Sequence, residues 1–266
     1  MRPKLAMGNI FPDPEQMKQF ADKHEFSGIE WSFDLETLPA TPAAESEWVR
    51  RLSVFAPLEV RYHCPFHQID LGHEDPTEAE AANTLFRRII RLVSKAGGKY
   101  LSIHIGLGRD TTEPLSWDET VDNLGRLVQF GQGQRVQICL ENLAWGWTSR
   151  PNLFEKLIRK SGAGVTFDIG HAFECEAVRS RQYAIEDFVT PHADRVMNAH
   201  IYHRELEDIG HKPPERLEDV KDRLALVNTT GCEWWVLELR DAESLLQTKR
   251  IVESYLGDLD LAEQRI

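Results

Sequence analysis

Six ionisable residues, His63, His104, Glu141, Asp168, His200 and Glu238, follow one another at intervals of 41, 37, 27, 32 and 38 residues. Each lies in or at the end of a short apolar run, so folding would carry all six into an interior. Burying several carboxylates and imidazoles together is costly unless they are paired or bind a cation. A divalent ion converts the mutual repulsion of two carboxylates into attraction to a common centre. A mixed Glu/Asp/His set suits Mn²⁺, Zn²⁺, Co²⁺ or Fe²⁺ better than an all-oxygen Ca²⁺ cage, and the residue types do not rank those four. Taken singly, His63 would be a hydrogen-bonded core residue and Glu141 an ion-pair partner. Six such placements in register argue instead for a metal centre, with Glu141, Asp168, His200 and Glu238 as its ligands. His63 and His104 stand equally as further ligands or as hydrogen-bonding partners of a substrate.

More polar groups follow closely. His171 comes three residues after Asp168, with Gly170 between them to permit a sharp turn back towards the site. His203 and His211 follow His200; His211 stands evenly between site and solvent, and His203 reads better as a loop residue. Arg109, Arg150, Arg204 and Arg240 follow apolar runs, where a guanidinium fork can hold a phosphate or carboxylate; Arg109 and Arg204 are the expected substrate contacts. Trp31, Trp145 and Trp147 could wall off water or stack on a sugar face, Trp145 being the expected contact. His24, His67, His73 and His192 lack convergent partners and read as surface residues.

The elements that must position these groups recur along the whole chain. Eight short β-rich runs occupy residues 4–9, 28–33, 59–64, 99–105, 135–141, 164–169, 196–202 and 234–239. Most are apolar throughout rather than alternating, as expected of strands buried on both faces of a parallel sheet. Between them, residues 78–96, 117–130, 151–160, 215–227 and 242–256 have helical composition. In the first of these, Leu85, Phe86, Ile89, Ile90 and Val93 step by three and four, with Pro76 before and Gly97-Gly98 after. Pro39, Pro42 and Pro57 limit the stretch between the second and third runs to short helix and loop. Eight strand–helix alternations predict one (β/α)8 barrel, an α/β TIM barrel spanning residues 1–266 as a single domain. No glycine-rich phosphate loop supports an open doubly wound sheet. In a barrel, all six spaced groups arrive at the C-terminal rim of the strands, the face where barrel enzymes carry their active sites.

Charge and cysteine usage narrow the class. With 31 basic and 43 acidic side chains, the formal net charge is −12, which disfavours non-specific nucleic-acid or anionic-membrane binding. No apolar run approaches the ~20 residues of a membrane-spanning helix, and the N-terminus lacks a signal-peptide core. Cys64, Cys139, Cys175 and Cys232 lie far apart and read as buried thiols in a reducing cytoplasm.

Leu140-Glu141-Asn142, Asp168-Ile-Gly-His171, His200 within Asn-Ala-His-Ile-Tyr-His, and Glu238, in this order and spacing, resemble the xylose isomerase-like barrel superfamily. That superfamily holds sugar isomerases and epimerases together with endonuclease IV-type nucleases. The resemblance runs from Gly-Ile-Glu-Trp of the second run to Leu-Glu-Leu of the eighth. Its epimerase branch implies one divalent ion at Glu141, Asp168, His200 and Glu238, most often Mn²⁺, with Zn²⁺, Co²⁺, Fe²⁺ or Mg²⁺ as alternatives. There the two glutamates also move the substrate proton, and His171 contacts substrate. The nuclease branch implies a three-zinc cluster at His63, His104, Glu141, Asp168, His171, His200, His211 and Glu238. The chain departs from both. Trp147 and Leu206 stand where epimerases carry a glutamate and an arginine, and Asp208 and His211 are three apart where nucleases carry Asp-x-His.

The resemblance therefore implies a metal-dependent sugar, sugar-phosphate or hydroxy-ketone isomerase or epimerase. Glu141 and Glu238 would transfer the proton α to a carbonyl through a metal-stabilised enediolate. The alternative is a multinuclear-zinc phosphodiesterase or phosphatase of the endonuclease IV type. A small carbohydrate is the expected ligand, with no nucleic acid and no membrane; many superfamily members are homo-oligomers, and the resemblance leaves that open for this chain.

Overall fold

The structure, a computed structural model, describes residues 2–206 and 210–263. Eight parallel strands close into a barrel. They are β1 (Lys4–Gly8), β2 (Gly28–Ser32), β3 (Glu59–Cys64), β4 (Tyr100–Ile103), β5 (Gln137–Glu141), β6 (Gly164–Asp168), β7 (Val196–Ile201) and β10 (Trp234–Leu237). Each falls within two residues of its predicted run, because two-sided burial makes a barrel strand visible as an apolar stretch. Two short strands, β8 (Arg204–Leu206) and β9 (Gly210–Lys212), form an antiparallel hairpin after β7 that the hydrophobic pattern does not announce.

Helices cover the barrel, and their starts are written in the sequence. Asp13, Thr41, Asp75 and Ser116 cap the helices Pro14–Lys23, Pro42–Leu52, Pro76–Lys95 and Trp117–Gly133 by accepting a backbone N–H. Three of the four open with proline, whose missing N–H costs nothing there. The helix expected over 215–227 begins later, at Lys221–Thr229, after a 3₁₀ turn at Leu217–Asp219. No described helix is long and apolar enough to cross a membrane. The four cysteines are buried and free.

Strand alternation decides what the barrel contains. Arg61, Ser102, Thr166 and Asn198 form one inward layer. The Asn198 amide donates to Thr166 Oγ1 at 2.9 Å and to Ser102 Oγ at 3.3 Å, and Arg61 donates to Asn198 Oδ1 at 2.7 Å. Two residues further along the same strands come His63, His104, Asp168 and His200. The polar layer thus sets the facing of the residues above it. At the opposite end Trp234 fills the floor, fully buried, with Ala6 and Val236 around it.

Gly28 is where that floor is tightest. A Cβ there would lie 2.1 Å from Trp234 Cη2 and 2.7 Å from the Glu59 carbonyl oxygen. The backbone oxygen cannot retreat without disturbing the β2–β3 pairing. Gly28→Ala is expected to cost about 1–3 kcal/mol, lowering the thermal midpoint by roughly 3–10 °C. Gly133→Ala, where a Cβ meets nothing within 4 Å, leaves it within a degree or raises it. Differential scanning fluorimetry of the two variants checks the contrast.

Candidate metal centre

The six spaced residues meet at the C-terminal mouth of the barrel and fall into linked groups. In the first, His63 and His104 bring Nε2 to 3.3 and 3.2 Å from Glu141 Oε2, and to 3.5 Å from each other. In the second, His200 Nδ1 lies 3.1 Å from Glu141 Oε1, 2.9 Å from Glu238 Oε2 and 3.7 Å from Asp168 Oδ2. The third comprises His171, Glu205 and His211, with His171 Nδ1 at 2.9 Å from Glu205 Oε2. Within each group one potential ligand atom per residue lies within 4.8 Å of all the others. Glu141 belongs to two groups, one carboxylate oxygen facing each.

Local structure explains several of these placements. Asp168 ends β6 and caps the helix Ile169–Glu174, its Oδ1 accepting from the His171 N–H at 2.7 Å; Oδ2 is left to face the site. Asn142 holds Asp168 from the neighbouring strand, accepting from its N–H at 2.8 Å and donating to its carbonyl at 2.9 Å. Gly170 does not supply the expected turn. It is helical, and its missing Cβ admits the Tyr202 ring, which a side chain would meet at 2.1 Å. Tyr202 in turn stacks on His211 at 3.9 Å between centroids and 11° between planes. His211 Nδ1 sits 2.8 Å from the Glu238 backbone oxygen, which leaves Nε2 for the site.

Burial and charge set the protonation of these groups. His63, His104, Glu141, Asp168, His171 and His200 are all buried. Burial pushes the Glu141 carboxyl up, but His200, His104 and His63 outweigh it and hold the group well below the usual carboxylate range. Burial likewise opposes charge on His200, yet Glu141, Glu238 and Glu30 raise it well above an ordinary imidazole. His171, desolvated but facing Asp168 and Glu205, is raised to about 9. Glu238 and Glu205 are lowered against the desolvation that opposes them, by His200 and His211 and by His171 respectively.

Glu141 Oε2, Asp168 Oδ2, His171 Nδ1 and Glu238 Oε2 are buried without a hydrogen-bond partner, although several have a nitrogen or oxygen within 3.3 Å. Close approach without hydrogen-bond alignment means that these atoms do not aim at one another. That is the arrangement of donors converging on an ion, and the donor set, imidazole plus carboxylate, suits a divalent transition metal.

Two further carboxylates face the centre. Glu205 sits on the hairpin strand β8, beyond any barrel strand. Glu30 sits on β2, 1% exposed, with Oε2 at 2.9 Å from His200 Nε2. Its signal, a carboxylate inside Gly-Ile-Glu-Trp-Ser, is the same one that marks the six. Asp208 lies outside the described residues.

The expected substrate contacts lie elsewhere. Arg109 pairs with Asp70, and its guanidinium also donates to the Gln68 carbonyl at 3.3 Å. Arg204 pairs with Glu174 at 3.0 Å, over the Phe173 ring. Trp145 packs over the Gly106 turn, and Trp147 against Trp117. In each case a nearer partner takes the side chain. The cavity above the ligands, about 400 Å³, is instead bounded by Asn9, Ser32, His67, Leu107, Leu239 and Arg240. His67 is thus an exposed residue on the rim of the site. His192, read as surface, is core, with Nε2 at 2.7 Å from the Phe188 carbonyl. His203 lies outside the site against Arg223.

Comparison with known proteins gives these features a context. An uncharacterised protein of Methanocaldococcus jannaschii is 27% identical over 197 residues, 74% of this chain and 80% of its own. Among solved structures, a D-tagatose 3-epimerase-like protein superposes with a TM-score of 0.75 at 16% identity, covering 97% of this chain and 99% of that one. Endonuclease IV from Thermus thermophilus does so with a TM-score of 0.70 at 16% identity, covering 96% and 100%. Identities this low carry the fold alone. The sequence model of one family matches residues 19–253, nearly the whole barrel, and the chain belongs to that family, the xylose isomerase-like TIM barrels.

Proposed function

We propose that this chain is a divalent-metal-dependent hydrolase of small, sugar-bearing phosphoesters, acting at a centre of three ligand groups. The observation that carries this reading is Glu141. Its two oxygens face separate groups, His63 and His104 on one side and His200 on the other, so it is built to be shared between two ions. A carboxylate engaged by two ions, one on each oxygen, has no lone pair left to take up a proton, whereas a glutamate that binds a single ion through one oxygen keeps the other for that task. The third group, His171, Glu205 and His211, extends the same centre, with Glu205 supplying its carboxylate.

Ions held there would supply positive charge against a phosphoryl group and a bound water acidic enough to ionise near neutrality. The protein's own residues do the rest. Asn142 and the N-terminus of helix Ile169–Glu174 fix Asp168, and Tyr202 fixes His211. Arg240 on the rim presents a guanidinium to a phosphate. Leu107 and Leu239 give the cavity dry walls. Hydrolysis would add water across one P–O bond, leaving an alcohol and a phosphate product. Ligands rich in imidazole favour Zn²⁺ over the Mn²⁺ of the one-ion expectation. The −12 charge and the small cavity favour a small molecule over a nucleic acid. The four buried thiols fit a reducing cytoplasm, and residues 1–266 are taken to work as one domain.

The sugar isomerase or epimerase reading stands second. What favours it is the tetrad Glu141, Asp168, His200 and Glu238, which forms a complete one-ion site without the other groups.

Elemental analysis and two assays separate the readings. The hydrolase reading expects two to three zinc ions per chain and chelator-sensitive release of nitrophenol from bis(p-nitrophenyl) phosphate. One ion per chain, with deuterium entering ketoses in D₂O and no phosphoester cleavage, would reverse the order; cleavage of an abasic duplex would return nucleic acid to the substrates. Glu205→Gln should lose one ion and about 10–100-fold of the hydrolysis. Removing metal should also expose the charge pattern of the site. His171, raised from 6.5 to about 9, stabilises the metal-free fold fully below pH 6.5 and loses that contribution as pH climbs towards 9. Glu141 and Glu205, lowered from 4.5, contribute above that value and lose it on acidification. The metal-free protein should therefore melt highest between about pH 4.5 and 6.5 and progressively lower towards pH 9. His171→Gln should flatten the alkaline slope.

A further inference from the structure

Strand β2 belongs to none of the three ligand groups, yet its inward side chains Glu30 and Ser32 stand directly behind two of the histidines. His200 turns Nδ1 towards Glu141, Glu238 and Asp168 and Nε2 towards Glu30, whose Oε2 lies 2.9 Å away. Glu30 is buried, and among the described residues neither its Oε1 nor His200 Nε2 has an aligned hydrogen-bond partner, which leaves the 2.9 Å approach of Glu30 Oε2 to Nε2 as the contact open to both groups. The same Oε2 lies 3.9 Å from His63 Nδ1, and Ser32 Oγ lies 3.4 Å from that nitrogen; His63 directs its other nitrogen at Glu141. A neutral imidazole carries one proton, so an acceptor behind one nitrogen leaves the lone pair on the other. Carboxylates placed this way fix the tautomer and orientation of a liganding histidine and raise its basicity.

We propose that Glu30 is a positioning residue that holds the proton of His200 on Nε2, commits Nδ1 to the central ion, and through its nearness to His63 aligns the two groups that share Glu141. The inference rests on the metal reading above and assigns β2, which supplies no ligand, the task of aiming those that do. It also gives a buried carboxylate a reason to sit beneath a site already crowded with negative charge. A structural role alone would be filled as well by an apolar side chain at that height in the barrel.

The test is zinc binding by competition with a chromophoric chelator, together with the ¹⁵N shifts of the histidine rings. In the wild-type protein His200 should carry its proton on Nε2 and bind zinc through Nδ1. Glu30→Gln, which keeps an acceptor but not the charge, should weaken one zinc site by up to about 10-fold and retain the tautomer. Glu30→Ala should weaken that site by about 10–100-fold and let both tautomers appear, while uptake at the His171, Glu205 and His211 group stays as in the wild type. Circular dichroism at saturating zinc confirms that the variants are folded. A zinc-binding wild type with His200 protonated on Nδ1 overturns the proposal without any variant, as do folded variants that bind zinc as tightly as the wild type. A wild type that takes up no zinc overturns the metal reading itself, and the role of Glu30 with it.

Discussion

Five carboxylates, Glu30, Glu141, Asp168, Glu205 and Glu238, meet five imidazoles, His63, His104, His171, His200 and His211, in one barrel mouth, and most of these side chains are buried. An uncompensated buried charge costs several kcal/mol, far more than any single surface contact returns. Without ions, His63, His171 and His200 carry compensating charge, which is why their affinities for protons are raised and those of Glu141 and Glu238 lowered. With ions the same imidazoles become neutral ligands. The need to balance this charge governs the arrangement of everything around it.

The barrel meets that need by alternation. Arg61, Ser102, Thr166 and Asn198 bind one another across the interior, and the residues two places on in the same strands are delivered to the mouth with their facing already set. Beyond the strand ends, short devices finish the work: a helix cap at Asp168, the Asn142 clamp, and an aromatic stack on His211 that only Gly170 permits. The barrel is thus graded, apolar at the Trp234 floor, bound together by the Arg61 guanidinium and neutral polar groups in the middle, and crowded with carboxylates and imidazoles at the top.

Much of this is legible from residue order. Parallel strands buried on both faces leave apolar runs, and a polar group within such a run is conspicuous, which is how His63, His104, Glu141, Asp168, His200 and Glu238 stand out. Glu30 carries the same mark and, 33 residues before His63, extends the same series back by one strand. Glu205 has no mark: its hairpin is held by pairing with β9, and three residues of strand are too few for a pattern. Arg109, Arg204 and Trp145 mislead for a different reason. Position just after a strand says that a side chain is near the mouth, but Asp70, Glu174 and the Gly106 turn decide where it points.

The central claim is that these side chains converge on ions, and anomalous diffraction from zinc-soaked crystals measured on both sides of the zinc absorption edge tests it most directly. The account predicts density peaks between His63, His104 and Glu141, between Glu141, Asp168, His200 and Glu238, and between His171, Glu205 and His211, with zinc–nitrogen distances of about 2.0–2.1 Å. Zinc-saturated crystals with no peak in the barrel mouth, and the carboxylates bound only to protonated histidines, would contradict it.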